Sequence, residues 1–492
     1  MLVSERELRE ALGEWAVRDR PVYLALAERL AELAAQGRVP VGARLPAERR
    51  LAQALNVSRG TVVAAYERLR EQGIVRTRHG SGTVVDDGSN HLAGPRDAHL
   101  TAALARNTIF AGFLGDAGDV VDLRGAYWVG TEELPRAAFT HPAAELDQLL
   151  EDHGYQPAGL PALRTAIAGR LTETGLATSP EEVLVTTGAQ QAISLIAELV
   201  LSPGDRALTE ELTFPGALDA FISAEARVRT TPLGAKGVDA AALRDRIARI
   251  QPRLVYLCPV HNPTGQVLPA LARRRVAEAV SGWEGVVVED LTLAETQVSG
   301  TMPPPIASFT DGDPRTTVLT IGSLSKIMWG GLRIGWIRGP EPVIHRLARI
   351  KALVDLGTPL LDQAVAARLL GDIGTIRTRR VAGVQERRGV LSDALRRELP
   401  GWAFTEPEAG LCLWVRLPAA SSAVEFAALA LRHGVAVVPG TVSAPEGGAG
   451  DHLRIAFGQR PDVLEEGVRR LAAAWREWSG LGAPRAELGV LV

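Results

Sequence analysis

The fold of this chain is decided around Ser323-Leu324-Ser325-Lys326-Ile327-Met328-Trp329-Gly330-Gly331-Leu332-Arg333-Ile334-Gly335-Trp336. Within this stretch stands Lys326, one of three lysines in a chain of 492 residues that carries 51 arginines. Arginine cannot attack an aldehyde because its guanidinium stays protonated, whereas a desolvated lysine amine can lose its proton and condense to a Schiff base. Lys326 is therefore a candidate for aldehyde chemistry. The alternative is an ordinary surface lysine in a chain whose arginine bias reflects base composition.

Pyridoxal 5'-phosphate (PLP) is the first aldehyde cofactor to consider for such a lysine. Apolar residues 318–321 predict a strand before Lys326, and residues 333–337 predict another. α/β folds place ligand groups where strands end in a cleft. A second segment, Val183-Leu184-Val185-Thr186-Thr187-Gly188-Ala189-Gln190-Gln191-Ala192-Ile193, predicts a strand, a glycine turn and a helix whose free amides suit a phosphate. An ordinary strand-to-helix turn would have the same pattern.

Two more predicted strands end in polar residues. Val286-Val287-Val288-Glu289-Asp290 ends in two carboxylates, and a carboxylate against a pyridine nitrogen keeps that nitrogen protonated. Leu254-Val255-Tyr256-Leu257-Cys258-Pro259-Val260-His261-Asn262-Pro263-Thr264-Gly265 enters a turn in which Asn262 could donate to the phenolic oxygen of the ring. Ordinary polarity at a strand end explains each segment as well.

In this order and at these intervals, the four segments resemble fold-type I PLP enzymes of the aspartate aminotransferase superfamily. The resemblance implies an α/β fold with a mostly parallel central sheet and a small C-terminal α/β subdomain. It implies that Lys326 carries the PLP Schiff base, that Asp290 pairs with the pyridine nitrogen and that Asn262 contacts the 3'-oxygen. The other implied cofactor contacts are Phe214 on the ring and Gly188, Ala189, Gln190, Ser323 and Arg333 at the phosphate.

A segment near the C-terminus, His452-Leu453-Arg454-Ile455-Ala456-Phe457, matches the part of that superfamily whose arginine grips the carboxylate of an amino-acid substrate. A guanidinium fork fits a carboxylate through two hydrogen bonds. The resemblance therefore makes Arg454 the candidate effector-carboxylate site. The alternative is a structural arginine in a strand.

The first 85 residues have a different character. Residues 21–35, 47–55 and 62–72 predict helices, Asn56-Val57-Ser58-Arg59-Gly60-Thr61 predicts a capped turn, and residues 74–85 predict a hairpin with a glycine-rich tip. This pattern describes a winged helix-turn-helix, in which a helix N-terminus enters the major groove of DNA. Residues 49–78 carry seven arginines against two acidic residues, and such a basic field suits DNA phosphates.

Three stretches of this module are similar to the GntR family of bacterial regulators: Arg44-Leu45-Pro46-Ala47-Glu48-Arg49, Val57-Ser58-Arg59-Gly60-Thr61-Val62 and His79-Gly80-Ser81-Gly82-Thr83. The DNA contacts that this resemblance implies are Arg49, Ser58, Arg59, Thr61, His79 and Gly80. The alternative for the arginines is a solvated helix face.

A GntR-type module joined to an aminotransferase-like domain resembles the organisation of the MocR subfamily of transcriptional regulators, over nearly the whole chain. The resemblance implies a regulator that binds operator DNA, PLP and sometimes an amino-acid-like effector, and that forms a head-to-tail homodimer. Many MocR proteins have an acidic residue and a tyrosine after the pyridine-binding aspartate, where this chain has Leu291 and Thr292. Thr292 is kept as a candidate cofactor residue, and Asn262 could replace the missing hydrogen bond.

Length and composition agree with several domains in one chain. We expect a winged helix-turn-helix at residues 1–85, a linker at 86–119, the PLP-binding domain at 120–480 and a tail at 481–492. Apolar runs fall short of a membrane span, and the start of the chain has no signal-peptide core. Two cysteines in apolar strands indicate buried thiols in the cytoplasm, and histidine and cysteine show no zinc-like spacing, so no metal is expected.

The sequence thus favours a PLP-responsive, DNA-binding transcriptional regulator in which residues 58–66 read DNA. One alternative is a working aminotransferase with a regulatory appendage, since the residues for turnover are nominally present. Another is a degenerate large domain that serves only for dimerisation. Operator sequence, direction of regulation and the effector beyond PLP are not encoded in any motif.

Overall fold

The structure is a computed structural model that describes residues 5–13, 15, 21–35, 39, 43–71, 74–78, 82–85, 118–129, 134–234, 236–310, 315–418 and 421–480. The chain divides into two compact units, Met1–His99 and Leu100–Val492. Most of the expected linker and all of the expected tail at 481–492 lie outside the described residues.

The described part of the N-terminal unit is helical with one hairpin. Its elements are α1 (Glu5–Leu12), α2 (Val22–Ala35), α3 (Glu48–Leu55), α4 (Arg59–Glu71), β1 (Val75–Arg78) and β2 (Gly82–Val85). The two strands pair antiparallel, with Val75 opposite Val85. Apolar faces of the helices meet in one core that includes Leu26, Leu51 and Tyr66. The phenol of Tyr66 donates to the carbonyl of Pro46 at 2.9 Å, which satisfies its one polar atom inside that core.

The turn between α3 and α4 explains one error in the sequence prediction. Helix α4 begins at Arg59, whereas the sequence predicted its start at residue 62. The hydroxyl of Ser58 accepts a hydrogen bond from the amide of Thr61 at 3.0 Å, so Ser58 acts as an N-cap and the helix starts directly after it. Asn56 closes α3 in the left-handed conformation, with φ of 54°.

The C-terminal unit is built on a seven-stranded sheet in the order β4-β12-β11-β10-β9-β5-β6. These strands are β4 (Val183–Thr186), β5 (Arg206–Glu210), β6 (Arg227–Thr231), β9 (Leu254–Leu257), β10 (Gly285–Asp290), β11 (Thr316–Ser323) and β12 (Gly335–Arg338). Only β12 runs antiparallel to its neighbours β11 and β4 within this sheet. The prediction of a mostly parallel central sheet is therefore confirmed.

Helices cover both faces of this sheet. They are α5 (Ala143–Leu150), α6 (Pro161–Glu173), α7 (Ala189–Val200), α8 (Pro215–Ser223), α9 (Ala240–Ile250), α10 (Ala270–Val280), α11 (Glu341–Asp355) and α12 (Leu360–Gly371). Strand β9 shows how the layers form: Leu254 and Tyr256 pack into the core that contains α7 and α8, while Val255 and Leu257 pack into the core of α9 and α10. A strand buried on both faces needs a continuous apolar run, which is what its sequence has.

A smaller sheet near the C-terminus is antiparallel, in the order β13-β14-β17-β16. Its elements and the helices around it are α13 (Ile373–Glu398), β13 (Ala403–Phe404), β14 (Cys412–Arg416), α14 (Ala423–Arg432), β16 (Val438–Pro439), β17 (His452–Ala456) and α15 (Pro461–Gly480). Two short pairs complete the unit: β3 (Val121–Asp122) runs parallel to β15 (Val435–Ala436), and β7 (Leu233–Gly234) pairs with β8 (Gly237–Val238). The small C-terminal subdomain is present as expected.

The strand predicted from residue 333 begins two residues later. Residues Gly330–Leu332 form a short 3-10 turn, and Arg333 closes it in the left-handed conformation, with φ of 52°. That conformation cannot continue a strand, so β12 starts at Gly335. The conformation turns the Arg333 side chain toward the loop after β4.

Candidate functional site

A cavity of about 740 Å³ lies where several strands of the parallel sheet end. Strands β9, β10 and β11 each end shortly before residues that line it, as expected for the ligand crevice of an α/β sheet. The residues predicted from sequence that line this cavity are Ala189, Gln190, Phe214, Asn262, Asp290, Thr292, Ser323, Lys326, Arg333 and Arg454. Gly188 stands directly before Ala189. The structure thus brings together residues that are up to several hundred positions apart in the chain.

Lys326 lies three residues beyond the end of β11, and its half-buried side chain lines the cavity. Burial, and after it the positive charge of Arg454, lowers the pKa of Lys326 to about 8, while Asp290 acts in the opposite direction. Its Nζ donates to the carbonyl of Ala126 at 2.7 Å. The Trp128 indole donates to the Lys326 carbonyl at 2.6 Å and so fixes the backbone of the same residue. An amine of lowered pKa at neutral pH is a nucleophile in part of the molecules.

Asp290 ends β10 and is almost completely buried, with 5% of its surface exposed. Its carboxylate accepts hydrogen bonds from the Tyr256 phenol and from the Thr292 amide, the latter at 2.8 Å. Burial raises the pKa of Asp290, although both hydrogen bonds act in the opposite direction. The carboxylate is therefore oriented by two donors while it faces the cavity, which is the arrangement that a pyridine nitrogen needs from its partner.

At the end of the cavity near α7, the main chain around Gly188 and the start of α7 forms a concave surface, here called the cradle. Gly188 has φ of 106°, and a Cβ there would lie 2.8 Å from a guanidinium nitrogen of Arg333. A Cβ at Gly335 would lie 2.7 Å from the carbonyl carbon of Gly188. No side chain caps the first turn of α7, so the amides that follow Gly188 are available to an anion. The hydroxyl of Ser323 faces this end but donates to the Ile334 carbonyl at 3.2 Å.

Several polar atoms that are buried in or beside the cavity have no hydrogen-bond partner among the described residues. They are Gln190 Oε1, Asn262 Oδ1 and Arg454 Nε. The Arg454 guanidinium is 3% exposed, and one of its terminal nitrogens donates to the carbonyl of Arg124 at 2.6 Å. A buried guanidinium whose Nε has no partner among the described residues is incompletely satisfied, so this part of the site is suited to an anionic ligand group.

Sequence reasoning missed other residues of the site. Tyr127, Trp128, Trp329 and Cys412 also line the cavity. The Trp128 ring lies between two guanidinium groups, 4.8 Å from that of Arg380 and 4.7 Å from that of Arg387. These residues carry no motif of their own, because distant loops and helices bring them to the cavity.

Tyr256 was also missed, although a signal for it existed. It carries the one hydroxyl in the apolar strand β9, and the sheet register places it beside Val288, two residues before Asp290. Residues two apart on a strand share a face, so the hydroxyl is on the side that Asp290 faces.

Three of the predicted DNA-contacting residues, Ser58, Arg59 and Thr61, lie at the start of α4, and Arg49 lies in α3. Arg49, Ser58 and Arg59 are exposed, and Thr61 is half-buried. The hydroxyls of Ser58 and Thr61 lie 2.8 Å apart, and Arg59 forms an ion pair with Glu48 at 3.1 Å. Ser58 therefore has a capping role besides any contact with DNA. His79 and Gly80 lie outside the described residues.

Comparisons with known proteins agree with both units. Residues 130–471 match the family of class I and II aminotransferases. The chain belongs to this aminotransferase family. Residues 22–85 match the gntR family of bacterial regulatory proteins, so the same chain also carries a GntR-type DNA-binding module. This combination is the organisation of the MocR-type transcriptional regulators, as predicted.

Three similar proteins span these two aspects. The probable rhizopine catabolism regulatory protein MocR of Rhizobium meliloti is 28% identical over 94% of this chain and 96% of its own length. The 2-aminoadipate transaminase of Thermus thermophilus is 35% identical over 60% of this chain and 75% of its own length. The crystal structure of LysN, an alpha-aminoadipate aminotransferase from Thermus thermophilus complexed with N-(5'-phosphopyridoxyl)-L-leucine, is 29% identical, with a TM-score of 0.70. It covers 80% of this chain and 99% of its own.

PLP, the cofactor of this aminotransferase family, fits the residues present. The cavity offers an amine of lowered pKa at Lys326, a buried carboxylate at Asp290 and an uncapped helix start with Arg333 beside it. Asn262 Oδ1 has no hydrogen-bond partner among the described residues. When the side-chain amide is flipped, its NH2 group can donate to a ring oxygen of the cofactor. Among the described residues, no group of acidic, histidine or cysteine side chains could hold a metal ion, and no helix could cross a membrane.

Proposed function

We propose that this chain is a transcriptional regulator that senses PLP in its aminotransferase-like unit and reads an operator with its GntR-type unit. The observation that carries the proposal is the Lys326 amine, which shares one cavity with Asp290 and Arg333 in a chain that also has a DNA-binding module. When bound, PLP supplies a reactive aldehyde and an electron-withdrawing ring. The residues of the chain bind it and orient it.

Each residue has a distinct task in this proposal. Lys326 would hold the cofactor by condensing with its aldehyde, with loss of water, and the Asp290 carboxylate, which accepts from the Tyr256 phenol, would keep the proton on the ring nitrogen. Phe214 stacks on the ring. The remaining contacts are Asn262 and Thr292 near the phenolic oxygen, and Gly188, Ala189, Gln190, Ser323 and Arg333 at the phosphate.

Arg454 would bind the carboxylate of an amino-acid-like effector. Its buried guanidinium has spare donor capacity, since Nε lacks a partner among the described residues. Lys326 lies close enough for the Arg454 charge to lower its pKa, so an effector carboxylate at Arg454 would act on the cofactor-binding amine directly. The effector thereby changes the charge of the same cavity that PLP fills.

At the operator, the N-terminus of α4 would enter the major groove. Ser58, Arg59 and Thr61 stand at that N-terminus, and Arg49 is exposed on α3. Helix N-termini and arginines contact DNA phosphates, and side chains on the entering helix contact base edges. His79 and Gly80 in the wing are proposed contacts from the GntR resemblance alone.

We also propose a head-to-tail homodimer as the functional species. Exposed leucines and valines of the C-terminal unit support a protein partner: Leu353 is 90%, Val354 57% and Leu356 53% exposed. Adjacent exposed apolar side chains of this kind indicate an interaction surface. The proposed domain limits are 1–85, 86–119, 120–480 and 481–492, and the matched ranges 22–85 and 130–471 lie within the first and third. A protein that reads operator DNA works in the cytoplasm of a bacterium.

A second candidate function is transamination. Asn262 and Arg454 are retained beside Lys326, and the chain is 35% identical to a transaminase over 299 residues. Lys326 would then also move a proton at the carbon next to the amino group. Sustained turnover of an amino donor and a keto acid, lost in Lys326→Ala, would support this function.

The deciding experiment is a gel-shift titration of the protein on the DNA upstream of its own gene, with and without PLP, at fixed salt concentration. We expect specific binding whose affinity PLP alters in the native protein and not in Lys326→Ala. Lys236→Arg is the matched control, because Lys236 is an exposed lysine that pairs with Glu408 at 3.1 Å. Specific binding whose affinity is the same with and without PLP would refute the sensor proposal and favour transamination.

A further inference from the structure

Hydrogen bonds from neighbouring side chains hold the turn between β4 and α7, which is the proposed phosphate-binding turn. Strand β4 ends at Thr186, and the next residue, Thr187, is held through both of the peptide groups that flank it. Its carbonyl accepts from the Arg333 guanidinium, and its amide donates to Gln191 Oε1 at 2.9 Å. The orientation of these two peptides determines where Gly188 and the start of α7 lie, so Gln191 and Arg333 together set the shape of the cradle.

The Gln191 amide group is itself oriented by a carboxylate. Its Nε2 donates to Asp355 Oδ2 at 2.7 Å. A carboxylate can only accept, so the nitrogen must face Asp355 and the oxygen must face the Thr187 amide. Asp355 is therefore what selects the orientation of Gln191 that the phosphate turn requires.

Asp355 is in turn held by Lys351, another of the three lysines of the chain. Both Asp355 oxygens lie 2.7 Å from Lys351 Nζ, and the Gly357 amide donates to Oδ1 at 3.0 Å. The Lys351 side chain is fully buried, with 0% exposed. Burying an ammonium is costly unless a charged partner meets it, so this pair is not an ordinary surface ion pair.

Helix stability alone does not explain Asp355. It is the last residue of α11, where the helix dipole disfavours a negative charge. Its hydrogen bonds reach along the chain to Gly357 and across to α7, which carries the phosphate-binding amides. The position of Asp355 is explained if its carboxylate orients a side chain of the neighbouring helix α7.

We infer that Gln191, Asp355 and Lys351 form a positioning relay that holds the Thr187 peptide and the start of α7 in the geometry for binding the cofactor phosphate. The inference rests on the proposed PLP site. Gln191, Asp355 and Lys351 are not among the residues that line the cavity, so the relay would act on the cofactor only through the phosphate-binding turn. Loss of the relay should weaken PLP and spare a ligand that lacks the phosphate.

The test compares two ligands on the cofactor-free full-length protein: PLP, and pyridoxal, which is the same aldehyde without the phosphate. The variant Gln191→Met keeps the length of the side chain and removes both hydrogen-bonding groups. We expect its Kd for PLP to rise about tenfold, which corresponds to about 1.4 kcal/mol, and its Kd for pyridoxal to change less than about twofold. Binding is followed by intrinsic fluorescence, since Trp128 and Trp329 line the cavity.

Two further variants make the test decisive. Asp355→Asn loses the charge that selects the Gln191 orientation, and should weaken PLP selectively in the same way. Gln385→Met is the matched control, because Gln385 is an exposed residue of α13 whose amide donates to the Val298 carbonyl at 3.0 Å. It should leave both Kd values unchanged. Melting temperatures of the cofactor-free variants show whether each one folds.

Three results would overturn the inference. Equal weakening of PLP and pyridoxal in Gln191→Met and Asp355→Asn would show general loosening of the site. Unchanged binding of both ligands would show that the relay does not act on the turn. Native protein that binds neither ligand would refute the proposed PLP site itself, and the inference would fall with it.

Discussion

Capture of PLP by Lys326 should rise with pH through about 8, well below the range in which ordinary lysines titrate. Burial and the neighbouring charge of Arg454 together lower the pKa of this amine from 10.5 to about 8. Only the unprotonated amine attacks an aldehyde. A lowered pKa therefore increases the reactive fraction at neutral pH.

The size of the effect follows from the pKa. At pH 7, roughly one in ten Lys326 amines is unprotonated, against roughly one in three thousand for a lysine of ordinary pKa, a gain of roughly 300-fold. Below its pKa the capture rate should climb about tenfold per pH unit, and above about pH 9 it should level off. An ordinary amine would still be climbing there.

The assay is rapid mixing of cofactor-free protein with excess PLP across this pH range at constant ionic strength, followed by protein fluorescence. A small lysine derivative with a free side-chain amine serves as reference. PLP itself titrates in the same way in both reactions, so the ratio of the two rates isolates the protein amine. Lys326→Arg should show no capture, and Lys236→Arg should behave as the native protein does.

A ratio that stays constant with pH would refute the reasoning, because it would mean that Lys326 titrates like a solvated lysine. The variant Arg454→Ala tests the assigned cause of the lowered pKa of Lys326. Removing that positive charge should move the inflection of the capture rate to higher pH, since the charge lowers the pKa of Lys326. An inflection that moves to lower pH would contradict the assigned cause.

Three further predictions concern the cradle, the carboxylate and the DNA-binding turn. Gly188→Ala should weaken PLP binding about tenfold or more in calorimetric titration, because φ at this position is 106° and the new Cβ would lie 2.8 Å from a guanidinium nitrogen of Arg333. The control Gly169→Ala should have no effect, because a Cβ at Gly169 would have nothing within 4 Å. Tyr256→Phe should weaken PLP mainly at low pH, since losing the hydrogen bond lets the pKa of Asp290 rise further; equal weakening at all pH values would contradict this. Arg59→Ala should reduce operator affinity and lower the salt dependence of gel-shift binding by about one phosphate contact; an unchanged slope would exclude such a contact.

Much of the cavity could be predicted from sequence because its main residues follow predicted strands. Asp290, Asn262 and Lys326 come within a few residues of the ends of β10, β9 and β11, and parallel strands bring their carboxyl ends to one edge of the sheet. Local patterns therefore locate these residues even though they are far apart in the chain. The roles assigned to them stay predictions.

Other features were beyond local patterns. Trp128 reaches Lys326 through a hydrogen bond across 198 positions, and the two arginines beside its ring come from α13. Such contacts depend on how the small subdomain packs, which no motif encodes. The prediction that Arg333 lies in a strand was wrong for a local reason, because its left-handed conformation is set by the tight turn before it and not by its own β propensity.

The charges of the cavity indicate why an aminotransferase-like site can serve as a sensor. Lys326, Arg333 and Arg454 surround a single carboxylate, Asp290, among the residues that line it. The lowered pKa of Lys326 corresponds to roughly 3 kcal/mol of destabilisation of its charged form. A phosphate and an effector carboxylate would neutralise much of this excess. A ligand shifts an equilibrium between two conformations only by its differential affinity for them, so PLP would act as a signal where the conformations enclose these charges to different extents. Such a response of a DNA-binding protein to its cofactor would need the binding features of an enzyme site but no turnover.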